Sequence, residues 1–354
     1  MALRYEETAR LQRGLDGGVS ALAFSPDGTY IAAAGMEDPK VYVWRVADHK
    51  LLHTYTGSRC PFLALEWLPG RSDTILCGSS DGYIAVLRLG SQELAEATGF
   101  WAHDYPVERL ATQGSQLVSG AQPEVRVWQH LSNGTNVWRH VTDLQGPPKD
   151  SKNAEEQFIV MGIHWTKTRV HRLVVVVTYM HHGIVARDVL SHVCLMFSLY
   201  RGGSSVSPKG SIIALSVMGF GFNLYHLDKG DCIASFVDDT NGERTVPVLL
   251  VHGGLALFGG STVGRAALWN VQNQRIHQTF APKPYDTILA IAANYNAEQD
   301  RFLLATGGND AHGKSAVVIW MAREYMWLSE AHAHIQSRRR VRCSLQPPIP
   351  VAAR

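Results

Sequence analysis

The stretch from Val19 to Gly57 reads VSALAFSPDGTYIAAAGMEDPKVYVWRVADHKLLHTYTG. Its β-branched and aromatic residues fall into four short runs separated by turn formers. This predicts strands over Val19 to Phe24, Tyr30 to Ala34, Lys40 to Val46 and Lys50 to Thr56. Each joint has its own turn chemistry. In Ser25-Pro26-Asp27-Gly28 the proline presets φ and the glycine tolerates positive φ, while Asp48 in Ala47-Asp48-His49 can bond nearby backbone amides. Four antiparallel strands of this length form one sheet with two apolar faces. Such a sheet cannot cover itself.

With Trp44 as a ruler, the equivalent position recurs at Leu87, Trp128, Arg187, Tyr225, Trp269 and Trp320, at intervals of 43, 41, 59, 38, 44 and 51 residues. The two long intervals contain the polar insertion from Leu144 to Gln157 and the glycine-rich turn from Gly307 to Ser315. Seven anchors with a period of about 40 to 45 residues predict an all-β, seven-bladed β-propeller of four-stranded antiparallel blades.

From about Arg4 to Trp320 the chain resembles the WD-repeat β-propeller family, with a divergent layout similar to that of fungal WD-repeat proteins. The first blade carries the resemblance most fully, in SPDG, a glycine before the turn, Asp38 six residues before Trp44, and VYVW. Blades four and five carry it least. Repeats of this family often link a His, a Ser or Thr, a turn Asp and the Trp by hydrogen bonds. Six residues before the anchors stand Asp38, Asp81, Gln122, His181, Gly219, Val263 and Lys314. Only blade three offers a partial set, in His103, Ser119 and Trp128. Polar stapling is therefore expected to be sparse, and sheet-to-sheet apolar packing to dominate.

A last blade counted from Ile288 supplies three strands, and Glu6 to Arg13 occupies a fourth-strand position ahead of blade one. The resemblance implies that the N-terminal strand completes the last blade. The expected division is residues 1–321 as the propeller and 322–354 as a C-terminal tail. In that tail Met326, Leu328, Ala331 and Ile335 have rough helical spacing, and a basic run follows. The apolar face of this helix is expected to dock on the propeller.

Composition fits a folded body. Of 354 residues 45% are hydrophobic and 18% charged, which excludes disordered and collagen-like classes. The net charge is +2, but Arg338, Arg339, Arg340, Arg342 and Arg354 leave the body before them mildly acidic. A solvated tail is the first reading of that basic run, a nuclear-import or acidic-partner segment the second, and RNA or DNA contact the third. Without interleaved aromatics, nucleic acid is not the expected partner. Five scattered cysteines contain no CxxC pair, which points to a reducing compartment. The N-terminal residues lack the apolar core of a signal peptide, and the apolar run from Leu173 to Met180 is too short to cross a bilayer as a helix. An intracellular location, cytoplasmic or nuclear, is the expectation, with no membrane partner.

Sixteen histidines invite a metal or catalytic reading. His181 and His182 would point to opposite faces of a strand, and His332 and His334 would lie on different faces of a helix. His103 and Asp104 are adjacent, poor geometry for a catalytic pair, so a stapling role is favoured for His103. No GxSxG or HExxH occurs, and Gly259-Gly260-Ser261 and Gly307-Gly308-Asn309 read as turns between second and third strands. No cofactor and no catalytic or metal residue is expected.

The expected function is a non-catalytic interaction scaffold, and the resemblance implies that it docks protein or peptide partners on one rim of the ring and around the channel mouth. That rim carries the loops from fourth to next first strand and from second to third strand. Its candidates are Glu37, Asp38, Asp81, His103, Asp104, Glu124, the insertion from Pro147 to Glu156, His181, His182, Asp310 and His312. For Asp38 and Asp81, a blade staple is favoured over a contact. The alternative is a propeller enzyme, such as a metal-assisted hydrolase, using Glu66, Glu108, His164 and His252 in the central channel.

Overall fold

The computed structural model describes residues 3–12, 15, 17–91, 94–131, 137–147, 153, 155–167, 172–189, 194–197, 202–238, 245–281, 287–296, 298–309 and 315–324. Asp310, His312, the tail beyond residue 324 and much of the insertion after Pro147 lie outside them.

The described residues form 28 strands in seven four-stranded antiparallel sheets. β1 (Leu3–Leu11) precedes blade one, which consists of β2 (Val19–Phe24), β3 (Tyr30–Gly35), β4 (Val41–Arg45) and β5 (Leu51–Tyr55). Blade two is β6 (Phe62–Trp67), β7 (Thr74–Ser79), β8 (Tyr83–Leu89) and β9 (Leu94–Trp101). Blade three is β10 (Arg109–Gln113), β11 (Gln116–Ala121), β12 (Glu124–Leu131) and β13 (Val137–Asp143). Blade four is β14 (Val160–Lys167), β15 (Leu173–Tyr179), β16 (Gly183–Asp188) and β17 (Cys194–Phe197). Blade five is β18 (Ser204–Val206), β19 (Ile212–Val217), β20 (Gly221–His226) and β21 (Cys232–Val237). Blade six is β22 (Val248–Val251), β23 (Ala256–Gly259), β24 (Ala266–Asn270) and β25 (Arg275–Phe280). Blade seven contains β26 (Thr287–Asn296), β27 (Arg301–Asn309) and β28 (Ser315–Glu324).

β1 closes the ring as the fourth strand of blade seven, antiparallel to β28 with Leu3 opposite Glu324 and Leu11 opposite Val317. It begins three residues earlier than the sequence pattern suggests, because Leu3 and Tyr5 still find partners on blade six. His277 Nε2 lies 2.6 Å from the Leu3 carbonyl oxygen, and Gln278 both accepts from Tyr5 N and donates to Tyr5 O. β28 likewise runs past Met321 to Glu324. Gly307-Gly308-Asn309 is not a turn but the end of β27, since all three residues pair with β28.

The anchors sit in the third strands, and six of them are buried in clusters shared with the preceding blade. Trp44 packs with residues of blade seven, Leu87 of blade one, Trp128 of blade two, Tyr225 of blade four, Trp269 of blade five and Trp320 of blade six. Arg187 is also buried, and its guanidinium donates to the Gly146 carbonyl at 2.7 Å. At Trp44, Trp128, Tyr225 and Trp269 the third-to-fourth strand ladder slips by a residue, and the β1–β28 ladder does so opposite Trp320. Such bulges sharpen local twist, and here they recur where the large side chain enters the gap between sheets.

Polar stitches join consecutive blades along the channel. Ser20 Oγ donates to the Phe62 carbonyl, Arg109 Nε to the Met161 carbonyl, and the Trp67 and Trp165 indoles to the Ala23 and Ala111 carbonyls. Among the described residues, no helix is long and apolar enough to cross a membrane.

Candidate functional site

First strands from the blades surround a central cavity of about 580 Å³ lined by Glu66, Glu108, Arg109, Thr112 and His164 among others. Its polar groups are largely occupied in holding blades together. Glu66 accepts from Thr112 Oγ1 at 2.8 Å and Thr112 N at 3.2 Å, across the joint between blades two and three. Burial pushes its carboxyl up to about 7, against the lowering effect of those two donors. His164 Nε2 lies 2.8 Å from Ser204 Oγ, which in turn lies 3.0 Å from Thr178 Oγ1. Burial, reinforced by the positive charge of Arg109, lowers His164 to about 4. His252 does not join them. It lies 2.8 Å from the Tyr5 hydroxyl at the rim formed by the loops between first and second strands. Among the described residues, no three His, Cys, Asp or Glu side chains gather in a geometry that could hold a metal ion. Of the alternative channel set, Glu66, Glu108 and His164 line the cavity and His252 lies outside it, with Glu66 and His164 engaged in inter-blade bonds.

On the rim carrying the second-to-third strand loops, the sequence candidates divide by depth. Asp38 is buried, accepting from the Tyr42 hydroxyl at 2.6 Å and pairing with Lys40 at 3.3 Å. His182 is buried with its ring edge-on to Phe158 at 4.6 Å. His181 is half-buried, its carbonyl accepting from Asn153 of the insertion at 2.5 Å. Glu37, Asp81 and Asp104 are exposed, with Asp81 also accepting from Tyr83 N at 3.3 Å.

Blade three holds the complete polar set. Trp128 Nε1 donates to Ser119 Oγ at 2.8 Å, Ser119 Oγ lies 2.6 Å from His103 Nε2, and His103 Nδ1 lies 2.8 Å from Glu124. With the serine oxygen accepting from the indole, its hydroxyl proton points to Nε2, and the imidazole proton sits on Nδ1 facing the carboxylate. Burial holds His103 below its ordinary value, outweighing the opposite pull of Glu124. Arg126 fixes the far side, bonding Glu124 at 3.1 Å and the Ala102 carbonyl at 2.6 Å. Glu124 therefore takes the place that the six-residue count gave to Gln122. The turn there is only two residues long, with Gln122 at φ 49°, so a carboxylate at the start of β12 reaches the histidine.

The loop bearing His103 is seated on Gly82, whose carbonyl accepts from Ala102 N at 3.0 Å and His103 N at 3.1 Å. Gly82 has φ 92°, and a Cβ there would lie 2.0 Å from the His103 carbonyl oxygen, so only glycine fits. This seat presents two aromatics that the sequence pattern does not single out. Trp101 is 68% exposed, propped edge-on against Tyr83 at 5.3 Å, and Tyr105 is 40% exposed. The available signal is the run GFWAHDY, in which two large aromatics flank a buried histidine at the end of an outer strand. Met36 is exposed on the neighbouring loop of blade one.

Residues 9–45 match the family described as WD domain, G-beta repeat. That span holds the end of β1 followed by β2, β3 and β4, so the repeat unit begins in the closing blade and ends in the first. The ring is a seven-bladed β-propeller, and the matched repeat supports one of the WD-repeat kind. Propellers of that family are typically protein-interaction scaffolds and generally non-enzymatic. No curated protein matches the chain.

Proposed function

We propose that the protein is a non-catalytic scaffold that docks a peptide or protein segment on the rim over blades one to three. The carrying observation is the exposed pair of Trp101, at the end of β9, and Tyr105, on the loop that follows, which Gly82 and the His103 network hold in place. Large aromatics presented at low entropic cost are what binding surfaces use as anchors. Glu37, Asp81 and Asp104 stand exposed around them, with Arg59 as an exposed cation in the same sector. A segment pairing Lys or Arg with an apolar side chain suits this face, the cation lying over an indole or beside a carboxylate.

A peptide array graded by charge, probed with the purified protein, tests this. Basic peptides with an apolar neighbour should be retained, lose retention with Trp101→Ala plus Tyr105→Ala, and weaken with salt. Equal retention of acidic peptides, or undiminished binding by the double variant, would refute the reading.

A further inference from the structure

The opposite rim carries a second, apolar feature between blades six and seven. It is a groove of about 660 Å³ lined by Leu3, Tyr5, His252, Leu255, Tyr295 and Phe302 among others. Phe302 lies between His252, 4.5 Å away, and the stacked ring of Tyr295 at 4.2 Å. Leu255 is 69% exposed and Tyr295 50% exposed. The turn presenting Leu255 has left-handed φ at His252, Gly253 and Gly254, and the Tyr5 hydroxyl bonds His252.

The chain's own path past blade seven points to an occupant. β28 ends at Glu324, directly opposite Leu3, and Ala322 is opposite Tyr5, so the chain leaves its sheet beside two groove-lining residues. The next four residues are Tyr325-Met326-Trp327-Leu328, an unbroken apolar run. At most about 3.5 Å per residue gives these four a reach of about 14 Å from that exit. A run of such side chains joined directly to the lip of an apolar groove meets it as an intramolecular ligand. At an effective concentration of about 1 mM, even an intrinsic Kd of about 0.1 mM gives about 90% occupancy.

We propose that Tyr325 to Leu328 is the occupant of this groove, bound there in cis. This surface is distinct from the rim proposed to dock partners. Two measurements on the full chain test it. Hydrogen exchange should quicken up to about tenfold at amides 252–255 and 295–303 in the Trp327→Ser plus Leu328→Ser variant, with the denaturation midpoint held. In a Leu255→Cys plus Leu328→Cys variant, mass spectrometry should find a disulfide between those positions within monomers. Unchanged exchange in the first variant overturns the proposal. A bridge found only between two chains also overturns it, assigning the groove to a second copy.

Discussion

Replacing Trp44 with alanine tests the blade register and the ring closure together. Trp44 is 2% exposed and sits in a cluster that joins blade one to β1 and blade seven, including Ala9, Leu11, Leu303 and Ile319. Tyr42 stacks on it at 5.7 Å. An indole-sized side chain buries about 200 Å², which at about 25 cal/mol per Å² corresponds to about 5 kcal/mol before relaxation. Large-to-small truncations of buried aromatics cost about 3 to 5 kcal/mol. Trp44→Ala should therefore lower the denaturant midpoint by that free energy divided by the m-value, and β1 should become more open to proteolysis. Trp101→Ala supplies the control, because an exposed indole outside such features should change stability by no more than about 0.5 kcal/mol. Peptide retention per folded molecule should show the reverse pattern, unchanged in the first variant and lost in the second. An unchanged midpoint for Trp44→Ala, with binding abolished, would make Trp44 a contact residue and overturn the register.

Ser119→Ala leaves the buried Trp128 indole N–H and His103 Nε2 without their shared partner, and thermal denaturation should report a loss of about 1 to 3 kcal/mol. Deleting residues 1–13 removes the strand that closes blade seven and bares the edge of β28, so its Tm should fall far more than on deletion of 336–354; equal shifts would contradict the closure argument. Acidification should destabilise the ring. His164 and His252, each lowered to about 4 chiefly by burial, stay neutral in the fold where unfolded histidine takes up a proton near pH 6.5, so their contribution is present above 6.5 and lost toward 4. Glu66, raised to about 7, opposes this by holding its proton in the fold between about 4.5 and 7. His252 is partly exposed and counts for less, while His53, His103 and His182 are lowered in the same sense. Stability should thus drop between pH 6.5 and 4.5 by up to about 1.4 kcal/mol per unit for each unopposed proton, and a rise over that range would refute the assignment.

Blade architecture was legible because its signals are local. SPDG and the apolar runs each lie within one repeat and the anchors recur from one repeat to the next, while the family resemblance, with Glu6 to Arg13 in a fourth-strand position, implied the closing strand. The stitches were not legible, because their partners sit about a repeat apart. Ser20 and Phe62 are 42 positions apart, Glu66 and Thr112 are 46, and His164 and Ser204 are 40. Taken singly, Glu66 and His164 resemble channel chemistry, and only the packing of neighbouring first strands commits each to the blade after its own, Glu66 to Thr112 and His164 to Ser204. Trp101 was hidden for a different reason. β9 is half exposed along its length, so no alternation singles out its last residue as presented rather than packed.

The closing strand also sets an order of events during synthesis. Thr8 donates to the Ile319 carbonyl, 311 positions later in the chain. At about 5–20 residues per second, β1 is made about 15 to 60 s before the strand it pairs with. During that interval its hydrogen-bonding edge has no intramolecular partner, and until blade six is made neither does the Tyr5 side of its apolar face, whereas Ala9 and Leu11 can pack on blade one. The nascent chain must therefore keep this edge from other strands until β28 emerges, by contact with the growing ring or with a chaperone. A circular permutant that places β1 directly after β28 would abolish this delay without altering a contact in the finished ring.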